Sequence, residues 1–381
     1  MASVVLEPGL ARVRRTMAVD LPPFLLNQWL ERHHGVKHDL AGSTGPCWTL
    51  RDLLALGESP PDLGAVALSY GSPQGEAGLR GEIARYLEVD PDWVIVTNGA
   101  SEAVVLVLLA LSLTGGNVAV PLPGYPAFAG AAAAMRLQLR HYRLERQRAF
   151  GLDAGAVAGE TDDNTVLVVT NSPHNPTGAV IPHGECAALA GALGERGIPL
   201  LVDEVFHPIY FGEPNPSATT IGNAIVVGDM SKALAMPGMR IGWVIDRDAA
   251  RRERMINARS HLTVSSSPVL EALALHALRN RDAILQRTRS IAAANLASLT
   301  GFMDEMRDIL GWAPPRGGLQ AFPWFRDGRD SRPFCERLAE KGVALMPGDC
   351  FGMPEHVRIG FGSQAGGIDA ALAIVGRELR P

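Results

Sequence analysis

The sequence predicts an α/β fold in which helices cover both faces of a mainly parallel sheet. Short apolar runs alternate with helical segments through the middle of the 381-residue chain. The runs at 94–97, 165–170 and 224–228 are apolar at nearly every position. Strands of this kind have both faces buried, which is typical of a parallel sheet between two layers of helices.

The elements before and within this sheet follow in order. A predicted arm at 1–20 and a helix at 24–33 precede a loop at 39–48 that is rich in Gly, Ser and Pro. A second loop at 67–75 leads into a helix at 78–87. The alternating segment then contains strands at 94–97, 117–120, 137–143, 165–170, 198–202 and 224–228, with helices at 101–113, 127–135 and 183–195.

The pattern changes after about residue 265, where a long helical region to 307 begins. Shorter strands and helices follow it, at 318–325, 332–341, 343–346, 356–361 and 368–379. This order of elements predicts a smaller α+β domain, against which the N-terminal arm could pack.

Composition excludes some classes of partner. The formal net charge is −5, with 20% charged residues, so we expect no nucleic-acid or anionic-membrane partner. The longest apolar run, at 103–113, is too short to cross a bilayer. The run at 21–26 is short and interrupted by prolines, which argues against a signal peptide.

The cysteines indicate neither a disulfide framework nor a metal site. Cys47, Cys186, Cys335 and Cys350 form no CxxC pair, and no Cys/His spacing suits zinc. Reduced thiols are typical of the cytoplasm, which is the location that we expect.

Lysine is rare in this chain: Lys37, Lys232 and Lys341 are the only three. Lys232 follows the apolar run at 225–228, and Arg240 comes eight residues later, after a Pro-Gly turn. Lysine, unlike arginine, can lose its proton and form an imine. We therefore expect one loop to carry an amine that can hold an aldehyde cofactor and a cation that can hold its phosphate.

Three further polar segments follow predicted strands, where ligands bind in open parallel sheets. The segment 97–101 is either an anion site built from backbone N–H groups or an ordinary glycine turn with a serine cap. The segment 171–178, with two prolines and two asparagines, is a turn or a rigid ligand loop. The carboxylate of Asp203 needs a partner, which could be a protonated ring nitrogen or a backbone N–H.

Three motifs in this order resemble the aminotransferase class I/II family of fold-type I PLP enzymes. They are SPHNPTG at 172–178, DEVF at 203–206 and SKALAMPGMRIGW at 231–243, and the resemblance runs from about Asp39 to the last helix. It implies pyridoxal 5′-phosphate as the cofactor. It also implies a large domain at 46–285 with a seven-stranded, mainly parallel sheet. The small α+β domain would comprise 1–45 and 286–381.

The resemblance implies three catalytic residues. Lys232 would hold the cofactor as an imine and later move the Cα proton of the substrate. Asp203 would pair with the pyridinium nitrogen, which keeps the ring an electron sink. Tyr125 would stack on the face of the ring.

The remaining implied roles concern binding. Asn175 would bond the 3′-oxygen of the ring, and Arg358 would grip the substrate α-carboxylate with a bidentate pair of hydrogen bonds, in a substrate site shared with Asn175 and Gly42. Tyr70 would reach the phosphate in the neighbouring subunit, so that the active form is a homodimer. The phosphate site itself would consist of Gly99, Ala100, Ser101 and Arg240.

Two positions depart from the family pattern. Phe206 stands where the family usually has a tyrosine that donates to the 3′-oxygen, and losing that donor should alter the pKa of the lysine-bound cofactor. Asp229 stands where a serine or threonine often binds the phosphate. An anion beside a phosphate is unfavourable, so we expect the Asp229 carboxylate to turn away from it.

Further segments resemble the capreomycidine synthase group, at 28–31, 39–48, 261–268, 315–323 and 346–351, together with Phe206. The resemblance implies specialised amino-acid or antibiotic biosynthesis. One hypothesis is an aminotransferase for an arginine-derived, possibly cyclic guanidino amino or keto acid. The other is a cyclase or lyase that eliminates at Cβ of hydroxyarginine and closes the guanidine ring. Predicted guanidinium partners are Asp39, Glu204, Asp349 and Trp48, with solvated carboxylates and a packed Trp as the alternative.

A third hypothesis is a transcription regulator, because PLP folds also occur as its ligand-sensing part. The roughly 40 residues before the fold carry no helix-turn-helix pattern or basic stripe, so we expect an enzyme.

Overall fold

The computed structural model describes residues 21–111 and 115–380. The predicted arm at 1–20 and the last residues of the predicted helix 101–113 lie outside this part. The first described elements are α1 (Leu25–Arg32), β1 (His38–Asp39), α2 (Leu50–Leu54) and α3 (Ala77–Leu87).

The predicted sheet is confirmed, and it has seven strands. They are β2 (Val94–Thr97), β3 (Asn117–Leu122), β4 (Gln138–Arg143), β5 (Thr165–Asn171), β6 (Leu200–Asp203), β7 (Ala224–Asp229) and β8 (Gly242–Ile245). Their order across the sheet is β2-β8-β7-β6-β5-β3-β4. All neighbours pair in parallel except β8, which runs antiparallel to β2 and β7. The sequence pattern missed β8, because its four residues begin with glycine directly after a Pro-Gly turn.

Helices cover both faces, as predicted. The helices of this region are α4 (Ala100–Leu111), α5 (Pro126–Ala134), α6 (Ala154–Gly159), α7 (His183–Gly194), α8 (Ala249–Leu262) and α9 (Pro268–Arg279). Successive strand residues alternate between two cores. Ile95 belongs to the core that contains side chains of α4, α5 and α8, whereas Val94 and Val96 belong to the core that contains side chains of α3, α7 and α9. Burial on both sides explains why the inner strands are mostly apolar, whereas the edge strand β4 is polar and partly exposed.

The C-terminal part begins with α10 (Arg281–Glu305). The region predicted to be helical to 307 consists of two helices. Helix α9 ends at Arg279, and the side-chain amide of the capping residue Asn280 donates to the carbonyl of His276 at 2.9 Å. The elements after α10 are β9 (Leu310–Gly311), β10 (Gln320–Ala321), β11 (Trp324–Phe325), α11 (Arg332–Glu340), β12 (Val343–Ala344), β13 (Met346–Pro347), β14 (Val357–Gly360) and α12 (Asp369–Leu379).

The N-terminal segment is hydrogen-bonded to this C-terminal part. Strand β1 pairs in parallel with β12, and the N–H of Gly360 bonds the carbonyl of Leu40 at 2.7 Å. This pairing places the loop after β1 beside β14. The grouping of 1–45 with 286–381 as one domain stays a prediction.

Among the residues described, no helix is long and apolar enough to cross a membrane.

Candidate active site

Polar side chains end four strands of the same direction at one edge of the sheet. Thr97, Asn171, Asp203 and Asp229 are the last residues of β2, β5, β6 and β7, and all four are buried. The register pairs Asn171 with Asp203 on the next strand. Because these strands run in one direction, their carboxyl ends gather polar groups that the apolar strands themselves exclude.

A cavity of about 310 Å³ opens at this edge. Eight of the predicted site residues line it: Gly42, Ala100, Ser101, Tyr125, Asn175, Asp203, Lys232 and Arg358. These positions come from distant parts of the chain, so the fold brings together most of the residues that the resemblance implied.

Lys232 follows β7, and its half-buried side chain lines the cavity. Its carbonyl accepts a hydrogen bond of 3.2 Å from the N–H of Gly45, which fixes the loop after β1 across it. Burial lowers the pKa of the Lys232 amine, while the Asp229 carboxylate raises it. The net shift of the pKa is downward, so a larger fraction of the Lys232 amine is neutral and nucleophilic at a given pH.

Asp203 has little to neutralise its charge. Its Oδ1 accepts a hydrogen bond of 3.0 Å from the N–H of Val205, and it forms no ion pair within the described residues. Burial raises the pKa of the Asp203 carboxyl to about 7, although the Val205 N–H lowers it and Asp229 raises it further. A bound cation would bring the carboxylate form back, so this side chain suits a protonated ring nitrogen.

Asn171 links Asp203 to the loop that follows β5. Its amide donates to the carbonyl of Asp203 at 2.9 Å, and its oxygen accepts from the N–H of Asn175 at 2.7 Å. The loop 172–178 is therefore held against the cavity, as a rigid ligand loop requires.

Arg358 extends from β14 into the same cavity as a buried cation. Its Nη1 donates to Oδ1 of Asn175 at 2.9 Å, and its Nη2 donates to the carbonyl of Ala41 at 2.5 Å. No carboxylate forms an ion pair with it in the described chain, and its Nε has no partner there. Burial lowers the pKa of the Arg358 guanidinium to about 10. An incoming carboxylate would supply the missing anion.

Tyr125 lines the cavity at the start of α5, and its ring lies edge-on to Phe128, with centroids 5.7 Å apart. Burial, followed by the charge of Asp203, raises the pKa of its hydroxyl. The ring is held in place by apolar contacts, which suits the predicted stacking role.

The predicted phosphate site lies where β2 turns into α4. Gly99 has a φ of +82°, and a Cβ there would collide with the guanidinium of Arg240. Arg240 is exposed beside Gly99, and within the described residues its guanidinium donates to two carbonyls, those of Asn98 and Pro237, both at 3.3 Å. Backbone N–H groups in the first turn of a helix lack partners inside it. Together with Arg240 they fit an anion such as a phosphate.

The orientation of the Asp229 carboxylate differs from the one expected from the sequence. The carboxylate lines the cavity, and Oδ2 lies 3.5 Å from the N–H of Ala100 at the start of α4. It therefore faces the predicted phosphate site instead of turning away from it. The backbone explains this orientation, because Ser231 donates to the carboxylate from its N–H at 2.8 Å and from its hydroxyl at 2.7 Å.

Phe206 also lines the cavity, fully buried after Asp203. An apolar ring therefore occupies the place where a tyrosine hydroxyl could have reached the cofactor.

Tyr70 lies outside the cavity. It is 87% exposed, beside Leu68, which is 86% exposed. The N–H of Gly71 donates to the hydroxyl of Ser265 at 3.2 Å, which brings this segment next to the exposed side chain of Val264.

The structure does not support the four predicted guanidinium partners, because none of them lines the cavity. Glu204 follows Asp203 directly, so its side chain points to the opposite side, where Ser217 donates to it at 2.6 Å. Asp349 is paired with Arg332 through hydrogen bonds of 2.6 and 2.8 Å. Trp48 packs under the guanidinium of Arg287, 4.6 Å from the ring centroid. Asp39 is exposed on β1 and accepts from the N–H of Ala41.

Sequence reasoning missed much of the cavity wall. The wall is mostly apolar, with a few neutral polar groups, and comes from α1, the loop after β1, α4 and α5. The additional residues are Leu26, Asn27, Leu30, Ser43, Thr44, Val104, Val105, Ala127, Phe128 and Ala131. Only the polar loop at 39–48 could have been recognised from the sequence as part of a site. The apolar helix residues could not, because such residues are expected to face the core.

The described residues thus fit PLP: an amine for the aldehyde, an unneutralised carboxylate for the ring nitrogen, and N–H groups with Arg240 for the phosphate. They contain no group of three or more His, Cys, Asp or Glu that could hold a metal ion.

Comparisons with known proteins agree with this arrangement. The model of the family described as aminotransferase class I and II matches residues 63–375. Capreomycidine synthase of Streptomyces vinaceus is 32% identical over 372 residues, which cover 94% of each chain. The valine–pyruvate aminotransferase of Mycobacterium tuberculosis is 31% identical over 389 residues, 96% of this chain and 98% of the relative. The crystal structure of the PLP-dependent cyclase OrfR matches with a TM-score of 0.86 and 31% identity, over 95% and 98% of the two chains.

Proposed function

Because the chain belongs to the aminotransferase class I and II family, whose cofactor is PLP, we propose that it is a PLP-dependent cyclase. Its substrate would be an arginine-derived amino acid with a hydroxyl at Cβ. The reaction removes one water: the Cβ–O bond breaks, and a guanidine nitrogen forms a new bond to Cβ. This proposal draws on the similarity to capreomycidine synthase and to the OrfR cyclase over at least 94% of the chain.

The observation that carries the proposal is the neutral cavity wall. Apart from Asp203 and Asp229, which lie at the ring and phosphate ends, no carboxylate of the described chain lines the cavity. A carboxylate beside the guanidinium would hold it protonated, and a protonated guanidinium is not a nucleophile. Apolar surroundings disfavour the charged form instead. The absence of the acidic partners that the sequence suggested therefore favours ring closure.

Each site residue would have a separate role in this reaction. Arg358 binds the α-carboxylate and, with Asn175, fixes the orientation of Cα. The neutral amine of Lys232 takes the proton from Cα. That proton leaves with the β-hydroxyl as water, and the proton lost by the guanidine nitrogen returns to Cα.

When bound, PLP withdraws electrons from the bonds of the substrate Cα. Asp203 supports this by keeping the ring nitrogen protonated. The apolar residues of α1, α4 and α5 exclude bulk water from the cavity, which protects a reactive substrate from hydrolysis.

The test uses the protein loaded with PLP and β-hydroxy-L-arginine as substrate. We expect a product lighter by one water, with a cyclic guanidine visible by NMR, and no requirement for a keto acid. Recovery of unchanged hydroxyarginine by a protein whose PLP spectrum responds to it would contradict the cyclase.

Transamination is the second candidate reaction, and the apolar cavity wall is compatible with it as well. An apolar wall also suits an aliphatic amino acid, and the valine–pyruvate aminotransferase matches nearly the whole chain. Incubation with an amino donor, without any keto acid, would then convert the cofactor to its pyridoxamine form. That conversion with L-valine or L-arginine, without cyclisation of hydroxyarginine, would favour transamination of an aliphatic or an arginine-derived amino acid.

The assembly is also a proposal. Members of this family act on amino and keto acids and are typically homodimeric. Tyr70, Leu68 and Val264 form an exposed apolar patch, and such patches mark interfaces. We propose that this patch joins two copies and that Tyr70 reaches the phosphate of the partner. Light scattering should report a dimer, and Tyr70→Ala should weaken PLP binding.

A further inference from the structure

Asp229 places a negative charge at the end of the cavity that must take a phosphate. The side chain is only 7% exposed, and its orientation is fixed by two hydrogen bonds from Ser231. Its Oδ2 points to the N–H of Ala100, which belongs to the first turn of α4. A carboxylate and a phosphate would therefore compete for the same helix end.

The cations at this end are few. Arg240 lies beside Gly99, donates to two carbonyls, and has no ion pair in the described chain. A phosphate ester brings a charge of about −1.5 to −2 at neutral pH. With Asp229 unneutralised, one arginine and the helix N-terminus face nearly three negative charges. A serine at this position, as is common in the family, would instead donate a hydrogen bond.

We propose that Asp229 weakens the hold of the protein on the phosphate of PLP, so that the cofactor exchanges readily and binds chiefly through Lys232 and Asp203. The proposal rests on the cofactor of the family and is independent of the choice between cyclisation and transamination. It predicts a protein that distinguishes PLP poorly from pyridoxal, which has the same ring and aldehyde but no phosphate.

The size of the effect follows from the charges. Two negative charges at the same helix end repel each other, and salt and the relaxation of Arg240 weaken this repulsion. We therefore expect neutralisation of Asp229 to tighten PLP roughly tenfold to a hundredfold.

The experiment is a titration of the full-length, cofactor-free protein with PLP and, separately, with pyridoxal, followed by absorbance. The variants are Asp229→Ser and Asp229→Asn. Asn has nearly the shape of Asp and can still accept from the N–H of Ser231, so it protects the test if the serine variant fails to fold. Asp92→Asn is the matched control, since it removes one charge from a side chain that is 81% exposed.

Both variants should bind PLP more tightly than wild type, release it more slowly on dilution, and bind pyridoxal as wild type does. Asp92→Asn should change neither affinity. Unchanged or weaker PLP binding in a folded Asp229→Asn protein would overturn the proposal. An equal gain for PLP and pyridoxal would also overturn it, because the effect would then act on the amine or the ring.

Discussion

Replacing Arg358 with glutamine tests the substrate site most sharply. The guanidinium is buried, and in the described chain it donates hydrogen bonds to Asn175 and to the carbonyl of Ala41 and forms no ion pair. It also lies over the ring of Phe351, 5.0 Å from the ring centroid. Arg358→Gln removes the charge and keeps a polar side chain that can bond one of these partners. We expect substrate binding to fail while folding survives.

The magnitudes follow from the burial. Burial lowers the pKa of Arg358 to about 10, and this downward shift corresponds to a cost of on the order of 3 kcal/mol for burying the charge. The two hydrogen bonds return about 1.5–3 kcal/mol each. These contributions oppose each other, so the unfolding free energy should change by less than about 2 kcal/mol. Loss of the carboxylate partner should cost about 2–5 kcal/mol in binding, roughly 30- to 4,000-fold.

The assay compares an amino acid with the same molecule lacking its carboxylate. Spectral titrations with L-arginine and with its decarboxylated amine give two dissociation constants for each protein. Wild type should prefer the amino acid, and Arg358→Gln should lose that preference. Arg337→Gln is the control, because Arg337 is a surface arginine of α11 that pairs with Glu378 and does not line the cavity.

Two results would refute this reasoning. If Arg358→Gln still prefers the amino acid, the carboxylate binds elsewhere. If it unfolds at a temperature far below wild type, the guanidinium is chiefly structural, and its hydrogen bonds outweigh the cost of burial.

Three further predictions concern the cofactor end. Lys232→Ala should lose the visible absorbance band of lysine-bound PLP, whereas Lys341→Ala, at an exposed ion pair with Glu378, should keep it. Phe206→Tyr adds a hydroxyl donor for the 3′-oxygen, which stabilises its anionic form, so the pH midpoint of the band should fall by about one unit. Asp203 has a folded pKa of about 7 against 3.8 for a free side chain. The cofactor-free protein should thus lose stability as pH rises from about 4 to 7, by on the order of 4 kcal/mol, and Asp203→Asn should remove that loss.

Each of these has a clear contrary result. A retained band in Lys232→Ala would move the cofactor amine to another residue. An unchanged midpoint in Phe206→Tyr would show that the new hydroxyl does not reach the ring oxygen. Chemical denaturation near pH 5 and pH 8 tests the third prediction, and equal pH slopes for wild type and Asp203→Asn would contradict it. The charge of Asp203 would then be compensated in the folded state.

Much of the fold could be predicted from local pattern. Local pattern predicted six of the seven strands. Five of them are largely apolar, because burial on both faces leaves a signal that needs no knowledge of neighbours, whereas the sixth, β4, is a partly exposed edge strand. Strand β8 was missed, since four residues after a turn carry too little periodicity. The split between α9 and α10 was also missed, because one asparagine inside a helical pattern is a weak signal.

The sequence by itself determined the chemistry at this sheet edge. A lone lysine after a buried strand, a carboxylate after another and a glycine turn before a helix are local features, and their motifs resemble one family. Tertiary structure alone decided which side chains share the cavity. It directed Glu204 away from the cavity and Asp229 toward the predicted phosphate site, and it built the apolar wall from α1, α4 and α5. The physical reason is that a side chain's direction depends on the backbone and on long-range packing, neither of which a local pattern encodes.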